Sequence, residues 1–227
     1  MISAKGLKKS YQNGDVVTHV LKGIDFSVDA GEFVSIMGKS GAGKSTLLYQ
    51  LSLLDDPTSG EVLVDGHATH TMSSTEKMNF RLRQFGYVFQ DYALLPELTA
   101  LENVALPLLM QGSSKAHAYR EGREALERAG LGHRPDNLPS QLSGGEQQRV
   151  SIVRAVVHKP KVLFADEPTA NLDNTSSRQI MGIFRDLHTS SEHMTIIMVT
   201  HEEEYARLAQ RIITIEDGMV AASERVR

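Results

Sequence analysis

One stretch of the sequence, residues 31–54, limits the fold more than any other. The apolar run Phe33–Met37 predicts a strand that is buried on both faces of a sheet. A glycine-rich loop, GKSGAGKST, follows it, and after this loop four leucines recur at helical spacing, Leu47, Leu48, Leu51 and Leu54. Their apolar stripe predicts a helix that packs on the sheet. Strand, glycine loop and helix in this order open an α/β unit that binds phosphate.

The loop itself fits the pattern G-x-x-x-x-G-K-[ST], with its fixed positions at Gly38, Gly43, Lys44 and Ser45. Its glycines let successive backbone N–H groups point inward at phosphate oxygens, and the following helix adds its positive end. We expect Lys44 to reach the β- and γ-phosphates and the Ser45 hydroxyl to bind Mg²⁺. The alternative, an ordinary glycine-rich turn, is disfavoured because the loop stands between a buried strand and an amphipathic helix.

Strand and helix signals alternate in the second half of the chain. Strands are predicted at residues 161–166, 195–200 and 211–218, with helical segments between them around residues 175–189 and 202–210. This alternation is typical of a largely parallel sheet with helices on both faces. The last strand signal ends in Asp217-Gly218, which predicts the turn of a hairpin.

A different character marks the middle of the chain, where strand signals vanish. The segment SSKAHAYREGREALERAGLG predicts a helix with Ser113 or Ser114 as its N-cap and Gly130 as its stop. We therefore predict one domain over residues 1–227, with a mainly helical lobe at 91–141 inserted into an α/β catalytic core. That core is formed by residues 1–90 and 142–227.

Composition excludes several classes of function. The 227 residues are 41% hydrophobic with a formal net charge of −4, so a general basic field for nucleic acid is lacking. No cysteine is present, which excludes disulfides and thiolate metal sites. The first residues lack the apolar core of a signal peptide. No apolar run approaches the roughly 20 residues that cross a bilayer, so action at a membrane requires another subunit.

An acid pair follows the predicted strand at 161–166. Asp166 and Glu167 end the apolar run at the carboxyl edge, where open α/β sheets bind ligands. Two adjacent carboxylates repel each other unless each one binds a cation or a proton. We expect Asp166 to hold Mg²⁺, directly or through water, and Glu167 to polarise the attacking water. The alternative is an exposed acidic turn that Pro168 ends.

Two further polar residues follow predicted strands. His201 comes after TIIMVT, where an imidazole can hydrogen-bond a γ-phosphate and position the water, although a surface role is the common one for a histidine. Gln90 ends the predicted strand FGYVFQ, at the start of the helical lobe. It can touch Mg²⁺ or the water and is a candidate hinge that senses the γ-phosphate. Glutamines at strand ends are common, so this signal alone is weak.

The stretch LSGGEQQR, residues 142–149, resembles the signature motif of ABC-type ATPases. The phosphate loop, Gln90, the acid pair, residues 171–173 and His201 then follow the order of that family. The resemblance covers essentially the whole chain and implies a P-loop NTPase of ABC type. It implies a RecA-like α/β core, an antiparallel β subdomain and an inserted helical lobe. It also implies ATP and Mg²⁺ as ligands, and two such domains that sandwich ATP head to tail.

The resemblance assigns roles residue by residue. Tyr11 matches the aromatic that stacks on adenine, with a core aromatic on an early strand as the alternative. Asp173 matches the loop that contacts the partner's active site, while Gln90 and His201 join Glu167 as catalytic residues. The signature set, which caps the γ-phosphate of the partner's ATP, is Ser143, Gly144, Gly145 and Glu146. The residues matched to nucleotide binding in the phosphate loop are Gly38, Lys39, Ser40, Gly41, Ala42, Gly43, Lys44, Ser45 and Thr46, and those matched to Mg²⁺ are Ser45, Gln90 and Asp166.

Several stretches, among them LLDDPTSGEVLVDG and ADEPTANLD, resemble the lipoprotein-releasing (LolD) and macrolide-export (MacB) ATPases. That subgroup implies a peripheral subunit at the cytoplasmic face of the inner membrane, partnered by a second ATPase subunit, in a homodimer, and by an integral membrane permease. No nucleic-acid partner is expected, since the chain has one domain, no heptad run and no zinc insert. The alternative is a mechanical role in cell division, as in FtsE, a near relative of the subgroup.

The resemblance also implies a docking groove for the membrane subunit beside the Gln90 loop. The segment FQDYALLPEL offers side chains for it, namely Tyr92, Leu94, Leu95 and Leu98. The same side chains suit the hydrophobic core of the helical lobe, and the sequence leaves both interpretations open.

Overall fold

The computed structural model describes residues 1–190 and 194–226, and the chain divides into two units, Met1–Arg81 with His188–Arg227, and Leu82–Leu187. The elements of the first half are β1 (Ile2–Asn13), β2 (Val16–Val28), β3 (Phe33–Met37), α1 (Lys44–Leu51), β4 (Ser59–Val64), β5 (His67–Ala68), α2 (Ser74–Gln84), β6 (Phe85–Val88) and α3 (Ala100–Met110). The remaining elements are α4 (Lys115–Arg128), α5 (Gly144–Val156), β7 (Val162–Asp166), α6 (Asn174–Ser190), β8 (Thr195–Val199), α7 (Glu203–Ala206), β9 (Arg211–Glu216) and β10 (Met219–Arg225).

The first unit contains an antiparallel sheet in the order β2-β1-β4-β5. Its inward side chains alternate with exposed ones along β2, where Ile24, Phe26 and Val28 are buried. This period of two is the pattern of a strand with one face on a core. The sheet is the antiparallel β subdomain that the resemblance implies.

The same unit holds the strand that leads into the phosphate loop. β3 runs parallel to β8 on one side and to β9 on the other, and β10 pairs antiparallel with β9. Both β3 and β8 are buried apolar runs, as strands covered on both faces should be. The predicted hairpin is confirmed, because β9 and β10 meet at Asp217 (φ 47°) and Gly218 (φ 74°). Two left-handed residues in succession match a type I′ turn.

The second unit combines a parallel strand pair, β6 and β7, with helices α3, α4 and α5. The predicted helix after Ser113 or Ser114 is confirmed as α4, whose N-cap is Ser114, and Gly130 (φ 73°) follows its end. A shared apolar core joins the three helices, formed by Ala100, Leu101, Val104, Ala125, Leu126, Leu131, Leu142, Val150 and Val153. None of the helices in the described ranges is both long enough and apolar enough to cross a membrane.

Several sequence predictions differ from the structure. The leucine stripe of α1 includes Leu47, Leu48 and Leu51, which are fully buried, but the helix ends at Leu51 and Leu54 is 43% exposed. The reason is the left-handed turn at Leu53 (φ 60°), which takes the chain off the helix axis.

The helix predicted at 202–210 is only one turn, α7, and the predicted strand to Gly218 ends at Glu216. Gln210 explains the short helix, because its N–H donates to the Phe33 carbonyl and its side-chain oxygen accepts from the Phe33 N–H. Those bonds replace helical ones and lead the chain directly into β9.

Helix α2, which has no buried residue, was not predicted, since it lacks an apolar stripe.

Candidate functional site

The phosphate loop runs from the end of β3 to the start of α1, as the motif predicts. Glycine is required at its two ends for different reasons. A Cβ on Gly38 would lie 2.2 Å from the Ile215 carbonyl oxygen, so the backbones approach too closely for a side chain. Gly43 has φ 99°, and a Cβ there would lie 3.1 Å from the Val20 carbonyl oxygen. The loop therefore has one shape, fixed by packing against its own unit.

Lys44 is folded into this loop and is only 7% exposed. Its ammonium donates to the carbonyl oxygens of Gly38 (2.9 Å) and Lys39 (3.2 Å). A cation so far from water, at the first position of a helix, adds to the positive end of that helix. The half-buried Ser45 and Thr46 hydroxyls lie in the same first turn. The arrangement suits a polyphosphate, which supplies the negative charge that this end of the unit lacks.

Tyr11 lies near the tip of the β1–β2 hairpin and is 43% exposed. The alternative interpretation, a core aromatic, is therefore wrong. Its hydroxyl donates to the Asp55 carboxylate at 3.0 Å. Partial burial and the bond to Asp55 raise the pKa of Tyr11, and a hydrogen bond with Thr46 opposes them. Thr46 ends the phosphate-loop motif, so the aromatic ring stands beside the loop.

His201 follows β8 and is exposed. Because β8 is the parallel neighbour of β3, the residues after both strands share one edge of the sheet. The Thr200 N–H donates to the Ile36 carbonyl at 3.2 Å, which fixes the chain just before the histidine. The first unit thus brings His201 and the phosphate loop to the same edge.

In the second unit the acid pair ends β7, as predicted. Asp166 is buried, whereas Glu167 is partly exposed and has φ 44°, a left-handed conformation that side chains rarely adopt. The turn is held by the Gln148 amide, which donates to the Pro168 carbonyl at 2.7 Å. The simple alternative, an exposed acidic turn, is wrong for Asp166, which is only 5% exposed. Backbone strain at a polar residue is a feature that clusters at functional sites.

Gln90 lies two residues beyond β6, so the predicted strand ends earlier, at Val88. Since β6 and β7 are parallel and Val88 pairs with Ala165, Gln90 and Asp166 follow neighbouring strands at one edge. Gln90 is exposed, and its carbonyl accepts from the Asn171 side chain at 3.0 Å. The Gln90 loop and the loop that contains Asp173 are therefore in direct contact.

The signature segment begins helix α5 with a capping box. The Ser143 hydroxyl accepts from the Glu146 N–H, and the Glu146 carboxylate accepts from the Ser143 N–H at 2.8 Å. The hydrogen bond from the Ser143 backbone lowers the pKa of Glu146, although partial burial opposes it, and Arg134 lies 3.3 Å from the carboxylate. Gly144 and Gly145 form the first turn, whose N–H groups have no intrahelical acceptors. The start of α5 is therefore a concave cluster of hydrogen-bond donors, which we call the signature cup. Its acid, Glu146, is already engaged in the capping box with Ser143.

Both signature glycines are closely approached. A Cβ on Gly144 would lie 2.9 Å from the Tyr92 hydroxyl, and one on Gly145 would lie 2.9 Å from the Ser176 hydroxyl.

Asp173 caps α6. Its carboxylate accepts from the Ser176 and Thr175 N–H groups at 3.0 and 2.9 Å, and these bonds lower the pKa of the carboxyl. The carboxylate predicted to contact a partner is therefore exposed and held in one orientation.

Two residues, one in each unit, were missed from the sequence. Arg154 donates to the carbonyls of Tyr92 (2.9 Å) and Ala93 (2.6 Å), two successive left-handed residues (φ 64° and 47°). Burial lowers the pKa of Arg154 to about 10. A single arginine within the apolar run of VSIVRAVV was the available signal. The other missed residue is Asp55, which accepts a hydrogen bond from the Tyr11 hydroxyl. Its only signal in the sequence was its place as the first of two adjacent aspartates in LLDDPT.

The donor chemistry suits Mg²⁺, a hard cation that takes oxygen ligands and keeps several waters. Ser45, Gln90 and Asp166 offer a hydroxyl, an amide oxygen and a carboxylate, and the buried Asp166 stands at the carboxyl edge of its strand. Across residues 1–190 and 194–226, no group of three His, Cys, Asp or Glu side chains could hold a metal by itself. Each of the side chains of Ser45, Gln90 and Asp166, taken by itself, carries the kind of oxygen ligand that Mg²⁺ takes in proteins.

Comparison with known proteins gives a match to the ABC transporter family over residues 21–170. An uncharacterised ABC transporter ATP-binding protein of Methanocaldococcus jannaschii is 47% identical over 97% of both chains. The lipoprotein-releasing system ATP-binding protein LolD of Shewanella frigidimarina is 43% identical over 97% of this chain and 92% of its own. The macrolide export ATP-binding/permease protein MacB of Rhodopirellula baltica is 44% identical, and the chain spans 33% of its length.

A solved ATP-binding cassette, a dimer in a post-hydrolysis state with ADP and Pi, has a TM-score of 0.94 to this structure at 39% identity. That comparison covers 100% of this chain and 99% of the other. The fold class predicted from the motifs is confirmed, as is the resemblance to the LolD and MacB ATPases. The chain therefore belongs to the ABC transporter family, as an ATP-binding ATPase subunit similar to LolD and to the ATPase part of MacB.

Proposed function

We propose that two copies of this chain close head to tail around two ATP molecules, and that closure and hydrolysis drive a membrane permease of the LolD or MacB type. The observation that carries this proposal is the contrast between two anion-binding elements. The phosphate loop contains a buried lysine. The signature cup, by contrast, offers a hydroxyl and amides, and its first turn carries the acid Glu146. Such a cup binds a triphosphate well only when another loop already holds it.

The roles of the site residues follow from this proposal. The phosphate loop, residues 38–46, binds the triphosphate with Lys44, and Tyr11 stacks on adenine. Glu167 acts as the general base for the attacking water, with His201 and Gln90 positioning the γ-phosphate and the water. Ser143, Gly144 and Gly145 cap the γ-phosphate of the partner's ATP, and Asp173 contacts the partner's site. Glu146 contributes by holding the Ser143 turn through the capping box.

Ser45, Gln90 and Asp166 are the residues proposed to hold Mg²⁺. When bound, this ion neutralises charge on the β- and γ-phosphates.

The membrane partner is proposed from the relatives. LolD is named as part of a lipoprotein-releasing system and MacB as an ATP-binding/permease protein, and this chain spans 33% of the length of that MacB. These names favour transport over the cell-division alternative. We place the chain at the cytoplasmic face of the inner membrane, peripherally bound to the permease, with the helical lobe at 91–141 as the docking region.

The docking groove is supported by one side chain more than by the others. Leu95 is 44% exposed, while Leu94 packs on the apolar core of the lobe. Leu94 therefore fits the interpretation as core of the helical lobe, and Leu95 fits the interpretation as part of a docking groove. We propose that Leu95, with the partly buried Tyr92 and Leu98, meets a helix of the permease.

The Glu167→Gln variant tests the dimer. Because it binds ATP without a base for hydrolysis, it should shift from monomer to dimer in size-exclusion chromatography when ATP and Mg²⁺ are present. The matched control is the double variant Glu167→Gln with Ser143→Arg, which should bind ATP at Lys44 yet stay monomeric. A single Glu167→Gln variant that saturates with ATP and stays monomeric would contradict the shared-site proposal.

A further inference from the structure

We propose that Asp55 is a positioning residue for the nucleotide base: its carboxylate fixes the Tyr11 ring in the orientation that stacks on adenine. This inference rests on the proposed function, because it assumes that Tyr11 is the base platform. Asp55 matches no phosphate, metal or signature position. It stands after α1, outside the phosphate loop, and we propose that it acts on the base by holding the tyrosine.

The Asp55 carboxylate is the centre of a small polar network. One oxygen accepts from the Tyr11 hydroxyl at 3.0 Å and from the Gln50 amide at 3.1 Å. The other accepts from the Lys9 ammonium at 2.7 Å. Burial acts to raise the pKa of Asp55, but the bonds from Lys9 and Tyr11 prevail and lower it. The carboxylate is therefore charged, and a charged acceptor holds a tyrosine hydroxyl more strongly than a neutral one does.

Tyr11 needs such an anchor because it has little packing of its own. It is 43% exposed, near the tip of a hairpin, where an aromatic side chain is free to change rotamer. Stacking a base on a mobile ring costs the entropy of ordering that ring, whereas an anchored ring is already ordered. The Asp55 bond thus prepares the platform before nucleotide arrives.

The network also selects one face of the ring. The Lys9 ammonium lies 5.0 Å from the centroid of the Tyr11 ring, over one face. Because a cation covers that face, a base has the opposite face available. Lys9 is in turn held by the ion pair with Asp55. One carboxylate therefore fixes both the orientation of the Tyr11 ring and the position of the ammonium over it.

Asp55 further ties the platform to the phosphate-binding helix. Gln50 belongs to α1 and is fully buried, and the Asp55 N–H donates to the Tyr49 carbonyl of the same helix at 3.2 Å. The carboxylate therefore fixes the spacing between the base platform on β1 and the phosphate loop before α1. This spacing must match the length of a nucleotide, and it is irrelevant to phosphate alone.

The test compares a ligand that has a base with one that lacks it. ADP and inorganic pyrophosphate are titrated into wild type, Asp55→Ala, Tyr11→Phe and the double variant by calorimetry. We expect Asp55→Ala to weaken ADP binding about tenfold, the scale of one hydrogen bond to a charged group, and to change pyrophosphate binding less than about twofold. Because Tyr11→Phe removes the same bond, together with the bond to Thr46, the double variant should bind ADP no more weakly than the weaker of the two single variants.

Asp56→Ala is the matched control, since Asp56 is the neighbouring acid, is exposed and pairs with Lys77 instead. It should leave ADP binding unchanged. Asp55→Asn, which keeps the shape of the side chain, covers the case in which Asp55→Ala does not fold, and it should show a smaller loss of the same selectivity. Equal losses for ADP and pyrophosphate, unchanged ADP binding, or additive losses in the double variant would each overturn the inference.

Tyr11→Ala separates this inference from the function on which it rests. If Tyr11→Ala weakens ADP binding and Asp55→Ala does not, only the positioning role of Asp55 is wrong. If Tyr11→Ala leaves ADP binding unchanged, the base platform itself has been misassigned, and the positioning role falls with it.

Discussion

Replacing Glu167 by glycine should remove hydrolysis and at the same time leave the protein more stable than replacing it by alanine does. Glu167 has φ 44°, and the proline after it favours extended conformations at the residue before it. A glutamate is therefore held in a conformation that glycine adopts without strain. We propose that the chemistry of its carboxylate is the reason why a costly residue stands at this position.

The magnitude follows from two opposing contributions. A side chain in the left-handed region costs about 1–2 kcal/mol relative to glycine. Glycine in turn loses more backbone entropy on folding, which offsets about 0.5–1 kcal/mol. From the midpoints of these two ranges, Glu167→Gly should be about 0.75 kcal/mol more stable than Glu167→Ala, which has the same strain and also lacks the carboxylate. For a chain of this size that corresponds to a rise in melting temperature of roughly 1–4 °C.

The assay uses three variants without nucleotide, so that ligand binding does not change the apparent stability. Thermal unfolding of Glu167→Gly, Glu167→Ala and Glu167→Gln is followed by circular dichroism, and ATP hydrolysis is measured separately. All three variants should lose ATP hydrolysis. The glycine variant should unfold at a higher temperature than the alanine and glutamine variants. A glycine variant that is no more stable than the alanine variant would refute the argument from strain.

Three other perturbations have definite outcomes. Lys44→Ala should weaken ATP binding at least about tenfold, measured by calorimetry, because it removes a buried cation that pairs with phosphate. Ser143→Arg should abolish ATP hydrolysis in a phosphate-release assay and leave binding to the monomer within about twofold, and lost binding would place both loops in one protomer's site. Burial lowers the pKa of His158 in spite of its bond to the Phe85 carbonyl. The unfolded chain therefore takes up this proton first, and stability present above the unfolded pKa of about 6.5 falls as the pH drops below it. The melting temperature should thus decrease from pH 7.5 to 5.5, and less so in His158→Gln; equal slopes would contradict the assignment.

The sequence predicted those parts of the site that depend on local chemistry. The phosphate loop was predictable because Gly38 and Gly43 are required by backbone geometry and Lys44 by charge, and each requirement appears within nine residues. The strand before the loop and the helix after it were equally predictable, since their apolar patterns are strong.

Contacts between segments distant in sequence could not be predicted in this way. Nothing local to Asp55 indicates that Tyr11, 44 positions earlier, donates to it. The short α7 depends on a bond from Gln210 to β3, and the end of α1 depends on the left-handed Leu53. In each case the tertiary partner decides the outcome, and a propensity read along the chain does not contain that partner.

Helix α5 connects the motifs of the second unit in a way that no single motif indicates. It begins at the signature cup, and two of its polar side chains, the buried Gln148 and the partly buried Arg154, hold two of the turns of the unit that contain left-handed residues. Gln148 donates to the carbonyl after Glu167, and Arg154 donates to the carbonyls of Tyr92 and Ala93. Hydrogen bonds to a charged group such as Arg154 contribute about 1.5–3 kcal/mol each, comparable with the strain of about 1–3 kcal/mol at a left-handed residue. A displacement of α5 must therefore move both turns with it or break the bonds that hold them. Since α5 starts at the surface proposed to meet the partner's ATP, we expect closure of the dimer to act at once on Glu167, the proposed base, and on the segment beside Gln90 that is proposed to dock the permease.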